Sequence, residues 1–245
     1  MKQTHGFTLI ELAIVLVIIT ILIGGLAVPL AAQIQARRIA ETKKTLEEAH
    51  HALVGYAMSH PSTTNPDKPY LPCPDTDGDG RENRPGDSCT NADGWFPWAD
   101  LGTGSQDAWG NRLRYSVETR EYADRSRGLP NLALLTEPYA TLNLKRICRS
   151  SACTSIDTIY LPAVVFSHGP NGRGARNINI PEGGATPAPP PGTSADELEN
   201  TNGDATFVSR TPTQAGHASG EFDDLVAWIS DGVLRSRVCP DGGCP

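Results

Sequence analysis

The distribution of apolar residues divides the chain into an apolar start and a more polar remainder. From 7 to 32 the sequence is almost entirely apolar, over a length that suits a helix crossing a bilayer. From 33 to 60 apolar residues recur at helical spacing between charged ones, at Ile34, Ile39, Leu46, Ala49, Leu53 and Tyr56. The pattern predicts one long helix with a transmembrane half, 7–32, and an amphipathic half, 33–60.

Beyond this helix, 61–245 has the pattern of a globular domain with short strands and long loops. Pro61 ends the helix. Strand-like runs rich in β-branched and aromatic residues follow at 112–119, 131–136, 158–167, 204–209 and 223–230. The segment 181–202 is rich in Pro and Gly, and we interpret it as a flexible insert without a fixed shape. The sequence thus predicts an α+β fold, in which the helix packs on a small antiparallel sheet.

The six cysteines form three pairs of near neighbours: Cys73 with Cys89, Cys148 with Cys153, and Cys239 with Cys244. An even number without a CxxC pair favours disulfides over a zinc or redox site. Because six cysteines allow many connectivities, this local pairing rests on proximity alone. Disulfides require an oxidising compartment, so we expect the globular domain, with its disulfide-bonded loops, outside the cytoplasm.

Charge and motifs exclude two classes of function. The formal net charge is −7, whereas a nucleic-acid surface needs a basic patch for phosphates. The sequence contains no GxSxG or HExxH motif and nothing that resembles an activated nucleophile. It therefore supports neither nucleic-acid binding nor an enzyme.

One acidic residue, Glu11, interrupts the apolar stretch. A lone carboxylate in hydrocarbon is costly, so it usually marks a function and needs a partner. The alternative is that Glu11, close to the helix start, reaches the headgroup level. The six residues before Phe7 are polar, and the stretch lacks the cleavage pattern of an ordinary secretory signal.

The segment GFTLIELAIVLV, 6–17, resembles the processing site of type IV pilins and of the pseudopilins of type II secretion. The resemblance implies that 1–6 is a leader, removed after Gly6 by a prepilin peptidase, and that the new amino group of Phe7 is methylated. Glu11 of one subunit would then pair with the Phe7 amine of the next and set the register of assembly. A plain signal anchor for a periplasmic enzyme leaves these residues unexplained.

The resemblance also implies a pilin-like fold and a structural role. The expected function is that of a minor pilin, assembled into a pilus or pseudopilus. The alternatives are a type II secretion pseudopilin and an adhesin or ligand-binding module displayed at a filament tip. The implied partners are other pilin or pseudopilin subunits, prepilin peptidase, the inner-membrane assembly platform and membrane lipid. The implied location is the inner membrane, crossed once with the globular domain in the periplasm, and then the filament.

A second resemblance lies in the globular domain. DAWGNRLRY at 107–115 is similar to the D-P-W-G-N-P-Y-Y pattern of major pseudopilins, and VVFSHGPNGRG and FDDLVAW are similar to their last strands and acidic loop. In those relatives the loop binds calcium. Asp223 or Asp224 matches the downstream aspartate, and we take Asp224 as the candidate calcium ligand. Asn171 stands where the upstream aspartate is expected.

DTDGDG at 75–80 is a separate calcium candidate. Asp75, Asp77 and Asp79 follow the spacing with which an EF-hand loop begins. The closing glutamate is missing at position twelve, where Gly86 and then Asp87 stand, although Asp87 or Glu82 could substitute. The alternative is a bare Asp/Gly turn within the loop between Cys73 and Cys89.

Four aromatic residues cluster between 95 and 109: Trp95, Phe96, Trp98 and Trp109. They predict either the core of a small domain or an exposed platform for a ligand. Aromatic side chains in a small domain more often supply its core, which we favour.

Overall fold

The structure is a computed structural model of the chain. It describes residues 8–130, 143–180, 185–190 and 192–239, and within α1 it leaves out the side chains of 25–29. Helix α1, Leu9–Ser59, is a single helix, as the apolar pattern predicts. The chain divides into two compact units, 1–40 and 41–245, and the boundary falls inside α1.

The part of α1 in the second unit packs by one face. Its buried positions include Thr42, Leu46, Ala49, Leu53 and Ala57. Steps of three and four residues place these side chains on one side of a helix. The buried side chains of this part of α1 therefore lie on one face.

The main sheet of the second unit has four antiparallel strands in the order β1-β2-β5-β7. They are β1, Asp93–Trp95; β2, Arg114–Val117; β5, Ala163–Ser167; and β7, Leu225–Ile229. All of β5 is buried, because this central strand pairs on both edges and is covered by neighbouring elements. The α+β fold with an antiparallel sheet is therefore confirmed.

A second sheet has three strands in the order β4-β3-β6. These are β3, Lys145–Cys148; β4, Ile156–Leu161; and β6, Thr206–Val208. The pair β3–β6 is parallel. The single strand predicted at 158–167 is wrong: Pro162 separates β4 from β5, and the two strands belong to different sheets. Proline lacks the N–H that a continuing ladder needs.

Side chains of α1 and of the main sheet share one hydrophobic core. It includes Leu53 from α1, Tyr115 and Val117 from β2, and Val165 from β5. A smaller core lies between the sheets and contains Ile147, Leu161, Val164, Phe166 and Phe207. Packing against α1 thus holds the main sheet, while β5 contributes to both cores.

Three short helices complete the described fold: α2, Trp98–Leu101; α3, Ala195–Thr201; and α4, Asp231–Val238. Helix α3 lies in the segment 181–202, where we predicted no fixed shape. That prediction is wrong for α3, whose Asp196, Glu197 and Asn200 are buried.

Two of the predicted disulfides are present, Cys73–Cys89 and Cys148–Cys153. The third prediction involves Cys244, which lies outside the described residues, as does the strand predicted at 131–136.

Within the part of the chain that the structure describes, we find no helix with the length and apolar character needed to cross a membrane. The transmembrane segment predicted at 7–32 is thus not confirmed.

Candidate functional site

Three acidic side chains that come from separate parts of the sequence meet in the second unit: Glu197, Asp223 and Asp224. We call them the acidic cluster. Glu197 lies in the first turn of α3, and the two aspartates immediately precede β7. Glu197 is 1% exposed and Asp224 is 4% exposed. Each of the three offers a carboxylate oxygen within 4.8 Å of the others.

One oxygen of each carboxylate in the cluster is held by the protein. Oε1 of Glu197 accepts hydrogen bonds from Nδ2 of Asn171 at 2.9 Å and from the backbone N–H of Asp223 at 3.0 Å. Oδ2 of Asp223 accepts a bond from the backbone N–H of Asn171 at 3.0 Å. Oδ2 of Asp224 accepts a bond from Nδ2 of Asn200 at 2.7 Å. These bonds orient all three carboxyl groups.

The other oxygen of each carboxylate is buried without a partner. Oε2 of Glu197, Oδ1 of Asp223 and Oδ1 of Asp224 accept no hydrogen bond from the described residues. Across the same ranges, no ion pair includes any of the three.

Burial raises the pKa of all three carboxyl groups of the acidic cluster. For Asp223, burial and then the nearby Glu197 raise the pKa to about 7. A buried anion is unfavourable unless an opposite charge balances it. Arg173 lies near enough to lower the pKa of Glu197 and of Asp223, but it forms its ion pair with Glu221. The cluster therefore calls for a proton or a cation.

The acidic cluster has the donor set of a site for a hard divalent cation. Calcium takes oxygen ligands at about 2.3–2.6 Å, so two of its ligand atoms lie at most about 5 Å apart. The separation of 4.8 Å or less between the cluster oxygens satisfies this limit. Carboxylates also supply the negative charge that such an ion needs. Glu197, Asp223 and Asp224 are therefore the residues that would hold it.

The DTDGDG loop, 75–80, also brings its three aspartates within 4.8 Å, but its hydrogen bonding differs. Oδ1 of Asp75 accepts bonds from the backbone N–H groups of Asp77 and Gly78 at 3.1 and 2.6 Å. Oδ2 of Asp75 accepts a bond from the backbone N–H of Gly80 at 2.8 Å. Both oxygens of this buried carboxylate are therefore used by the loop itself, as in an Asx turn.

Positive charges lie beside the DTDGDG loop. A methyl group on Gly78 would lie 2.1 Å from Nη1 of Arg176, so this guanidinium packs directly on the loop. Arg112 also interacts electrostatically with Asp75. Two guanidinium groups reduce the attraction of the loop for a metal cation.

The residues that could close an EF-hand-type loop are engaged elsewhere. Glu82 pairs with Arg84 at 3.0 Å, and Asp87 pairs with Arg125 at 3.1 Å. The structure therefore favours the turn interpretation for Asp75, Asp77 and Asp79. Asp224, the fourth predicted metal ligand, belongs to the acidic cluster instead.

The N-terminal end of α1 carries a capping box formed by Thr8 and Glu11. The backbone N–H and the Oγ1 hydroxyl of Thr8 both donate to Oε2 of Glu11 at 2.8 Å. The backbone N–H of Glu11 donates back to Oγ1 at 3.3 Å. These bonds satisfy donors that the start of a helix leaves unpaired. Glu11 thus has a partner in its own chain, whereas Gly6 and Phe7 lie outside the described residues.

Comparison with known proteins adds a finding about this same end of the chain. Residues 1–27 match the prokaryotic N-terminal methylation motif. This is the motif of type IV pilin-like prepilins. No significant match to a curated protein or to a solved structure was found. The prepilin motif thus confirms the resemblance of 6–17, while the second unit is characterised by its own geometry.

The sequence reasoning missed two residues that the geometry makes important. Thr8 is spaced from Glu11 as a Thr-x-x-Glu capping box, which is a recognisable signal just after the cleavage position of the prepilin motif. Glu197 follows Ser194 at the same spacing, which is a signal for a helix start inside the Pro-rich segment. In the structure Ser194 is the N-cap of α3, but Glu197 bonds to Asn171 and Asp223 instead.

The four aromatic residues between 95 and 109 are mostly covered. Phe96 lies in the main core. The guanidinium of Arg112 lies 3.9 Å from the centre of the Trp98 ring, and that of Arg114 lies 4.7 Å from the Trp95 ring. The core interpretation is correct for Phe96, and the two tryptophan rings each stack with an arginine.

Proposed function

We propose that the chain is a pilin-like structural subunit, namely a minor pilin, and not a catalyst. Its precursor would be cleaved after Gly6 by prepilin peptidase and methylated at Phe7. The N-terminal methylation motif at 1–27 is the observation that carries this proposal. The subunit would lie in the inner membrane with its second unit in the periplasm, and would then join other pilin subunits through the assembly platform.

The surface of α1 supports assembly in a non-aqueous environment. Large apolar side chains are exposed along its first half, at Leu9, Ile10, Leu12, Ile14, Val15, Leu16, Val17, Ile18, Ile19, Ile21, Leu22 and Ile23. A contiguous apolar surface of this kind marks an interaction with lipid or with other proteins. Lipid before assembly and neighbouring helices afterwards would cover it.

The processing step is tested by measuring the intact mass of the full chain extracted from membranes of cells that contain prepilin peptidase. We expect a chain that begins at Phe7 and carries one added methyl group. A chain that still begins at Met1 in such cells would overturn the proposal. A Gly6→Val variant is the control that should remain uncleaved.

Glu11 would act in assembly through its charge, pairing with the Phe7 amine of the next subunit. Its Oε2 is bonded to Thr8, so the remaining oxygen is available for this pairing. Glu11→Gln separates the two roles, because glutamine also serves in a capping box but carries no charge. We expect Glu11→Gln to enter filaments poorly and Glu41→Gln, on the same helix, to enter normally. Normal incorporation of Glu11→Gln would leave Glu11 with a capping role alone.

The acidic cluster favours a second candidate function, that of a type II secretion pseudopilin. It lies where the chain resembles the calcium-binding loop of major pseudopilins. Each of its three carboxylates has a buried oxygen without a hydrogen-bond partner, and the three residues offer carboxylate oxygens within 4.8 Å of one another. Nothing in the described residues favours an adhesin in the same way, since Phe96 is buried in the core and the Trp95 and Trp98 rings each stack with an arginine. Genetic complementation in a secretion mutant and in a pilus mutant of the source cell would distinguish the two machines.

We also propose that the acidic cluster binds one calcium ion. Calorimetric titration of the full chain in detergent with Ca²⁺ should give one site per chain. Titration of Asp224→Asn should give much weaker binding, because this variant keeps the shape of the side chain but removes one negative charge from the site. Equal binding by both proteins would show that the ion sits elsewhere.

A further inference from the structure

The DAWGN turn, 107–111, contains a buried carboxylate that neither proposed function uses. Asp107 is 4% exposed, and both of its carboxylate oxygens accept hydrogen bonds from the protein. Its Oδ1 accepts hydrogen bonds from the backbone N–H groups of Trp109 and Asn111 at 2.8 and 2.9 Å. Its Oδ2 accepts bonds from Nδ2 of Asn111 at 3.1 Å and from Oγ of Ser167 at 2.7 Å. Asp107 thereby fixes two other polar side chains.

Those two side chains both bind Gly169. Nδ2 of Asn111 donates to the carbonyl oxygen of Gly169 at 2.9 Å. The backbone N–H of Gly169 donates to Oγ of Ser167 at 3.0 Å. The N–H and the C=O of a single glycine are therefore both held by groups that Asp107 orients.

Gly169 in turn lies against the acidic cluster. Its φ is +61°, and a methyl group on it would lie 2.2 Å from the carbonyl oxygen of Asp223 and 2.6 Å from Oδ1 of Asp223. Only a glycine leaves room for this contact. Oδ1 of Asp223 is one of the three buried oxygens without a hydrogen-bond partner. The position of Gly169 thus limits where this oxygen can lie.

We propose that Asp107 and Asn111 are positioning residues of the calcium site, acting through Gly169 on Asp223. The proposal rests on the calcium binding proposed above and adds residues that contact no ligand atom themselves. Groups that orient metal ligands from behind typically change metal affinity by about 10–100-fold when they are removed. The DAWGN turn would therefore set the affinity of the site as well as the start of β2.

A purely structural role for Asp107 is the competing explanation, and a matched control separates the two. Glu118 is also a fully buried carboxylate, and it accepts three backbone hydrogen bonds, from Arg120, Glu121 and Tyr122. Within the described residues, these three bonds do not lead to the acidic cluster. Asp107→Asn and Glu118→Gln therefore make the same chemical change in two buried networks, of which only one reaches Gly169.

The experiment titrates Ca²⁺ into full chains in detergent and also measures their unfolding temperatures with a chelator. We expect Asp107→Asn to weaken calcium binding by about 10–100-fold. Glu118→Gln should lower the unfolding temperature but keep the wild-type affinity. Ser167→Ala is a milder second variant, in case Asp107→Asn does not fold, and should weaken binding in the same direction.

The possible failures are distinguishable. If the wild type binds no calcium, the cation proposal itself is wrong and the positioning role falls with it. If the wild type binds calcium and Asp107→Asn and Ser167→Ala bind it equally well, only the positioning role is overturned. An equal loss of affinity in Glu118→Gln would also overturn it, because the effect would then follow general destabilisation.

Discussion

The acidic cluster and the DTDGDG loop each bring three carboxylates together, yet their oxygens are used in opposite ways. In the loop, both oxygens of the buried Asp75 accept backbone hydrogen bonds, and Arg176 packs on the chain beside it. In the cluster, each carboxylate has one bonded oxygen and one buried oxygen without a partner. A candidate cation site is therefore identified by its unsatisfied carboxylate oxygens and not by the number of its aspartates.

The origin of this difference lies in sequence separation. Asp75 finds its donors two, three and five residues downstream, so the carboxylate is satisfied within its own turn. Glu197 and Asp223 are 26 residues apart and meet only when α3 packs beside the start of β7. Tertiary packing therefore brings the three carboxylates together without supplying a hydrogen-bond donor for each of their oxygens.

Calcium should stabilise the protein through the acidic cluster and not through the loop. At a free concentration 100 times the Kd, binding adds about 2.7 kcal/mol to the free energy of unfolding. That corresponds to a rise of about 5–10 °C in the unfolding temperature of a chain of this size. Glu197→Gln should abolish the rise, whereas Asp77→Asn should keep it. Thermal unfolding of the full chain in detergent, with calcium or with chelator, measures both.

Two results would contradict the assignment of calcium to the acidic cluster. Loss of the calcium response in Asp77→Asn alone would place the ion in the DTDGDG loop. An unchanged unfolding temperature in the wild type, over the whole range of calcium concentration, would leave both groups as structural features.

Asp75 should matter for stability and not for calcium. Asp75→Ala removes the acceptor of three backbone N–H groups. Of the three donor residues, Gly78 is half-buried and Gly80 is buried. We expect the free energy of unfolding to fall by about 2–3 kcal/mol. Asp79→Ala, in which an exposed aspartate loses one such bond, should cost about 1 kcal/mol or less. Chemical denaturation measures both, and an altered calcium affinity in Asp75→Ala would argue for a shared role of the two groups.

The chelated protein should lose stability as the pH rises. The pKa of Asp223 is raised from 3.8 to about 7 by burial and by Glu197. Between those values the folded state keeps a proton that the unfolded state releases, so stability is present at low pH and is lost as the pH approaches 7. The full shift corresponds to about 4 kcal/mol, and because Asp223 is only partly buried, we expect about 2 kcal/mol.

The control for this pH dependence is Asp223→Asn, which should reduce it without abolishing it, because burial also raises the pKa of Glu197 and of Asp224 in both proteins. A comparison of variants is needed because His168 acts in the opposite direction. Burial lowers the pKa of His168 from 6.5 to about 3, so this group reduces stability as the pH falls below 6.5. Both proteins contain His168, and their difference therefore isolates Asp223. A wild-type profile parallel to that of Asp223→Asn would show that Asp223 does not contribute to the pH dependence.

The sequence is sufficient to predict those elements whose structure depends on one local pattern of residues. Helical periodicity predicts α1, and short β-rich runs contain β2 and β7. The prepilin motif is likewise a contiguous pattern, matched over 1–27. In each case neighbours along the chain supply the physical signal, so composition and spacing are enough.

The acidic cluster could not be predicted in full, because its members are joined only by packing. Asp224 is recognisable from the FDDLVAW resemblance, but Glu197 lies inside the Pro-rich segment 181–202, whose composition indicates disorder. Its burial depends on bonds to Asn171 and Asp223, which no local pattern specifies. Likewise, the Gly169 contact with Asp223 is a tertiary approach. The sequence thus indicates the region of the site but not its ligand set.

Asn171→Asp should change the stability of the protein and the calcium affinity of the acidic cluster only slightly. Nδ2 of Asn171 now donates to Oε1 of Glu197, and an aspartate there would replace this bond with repulsion between carboxylates. The chelated protein should lose about 1 kcal/mol of stability, while one more charged oxygen beside the cluster should tighten calcium binding about tenfold, which is about 1.4 kcal/mol. Asn65→Asp, at a position that belongs to neither acidic group, is the matched control. Weaker calcium binding by Asn171→Asp would mean that the amide is needed to orient Glu197, and that geometry limits the site more than charge does.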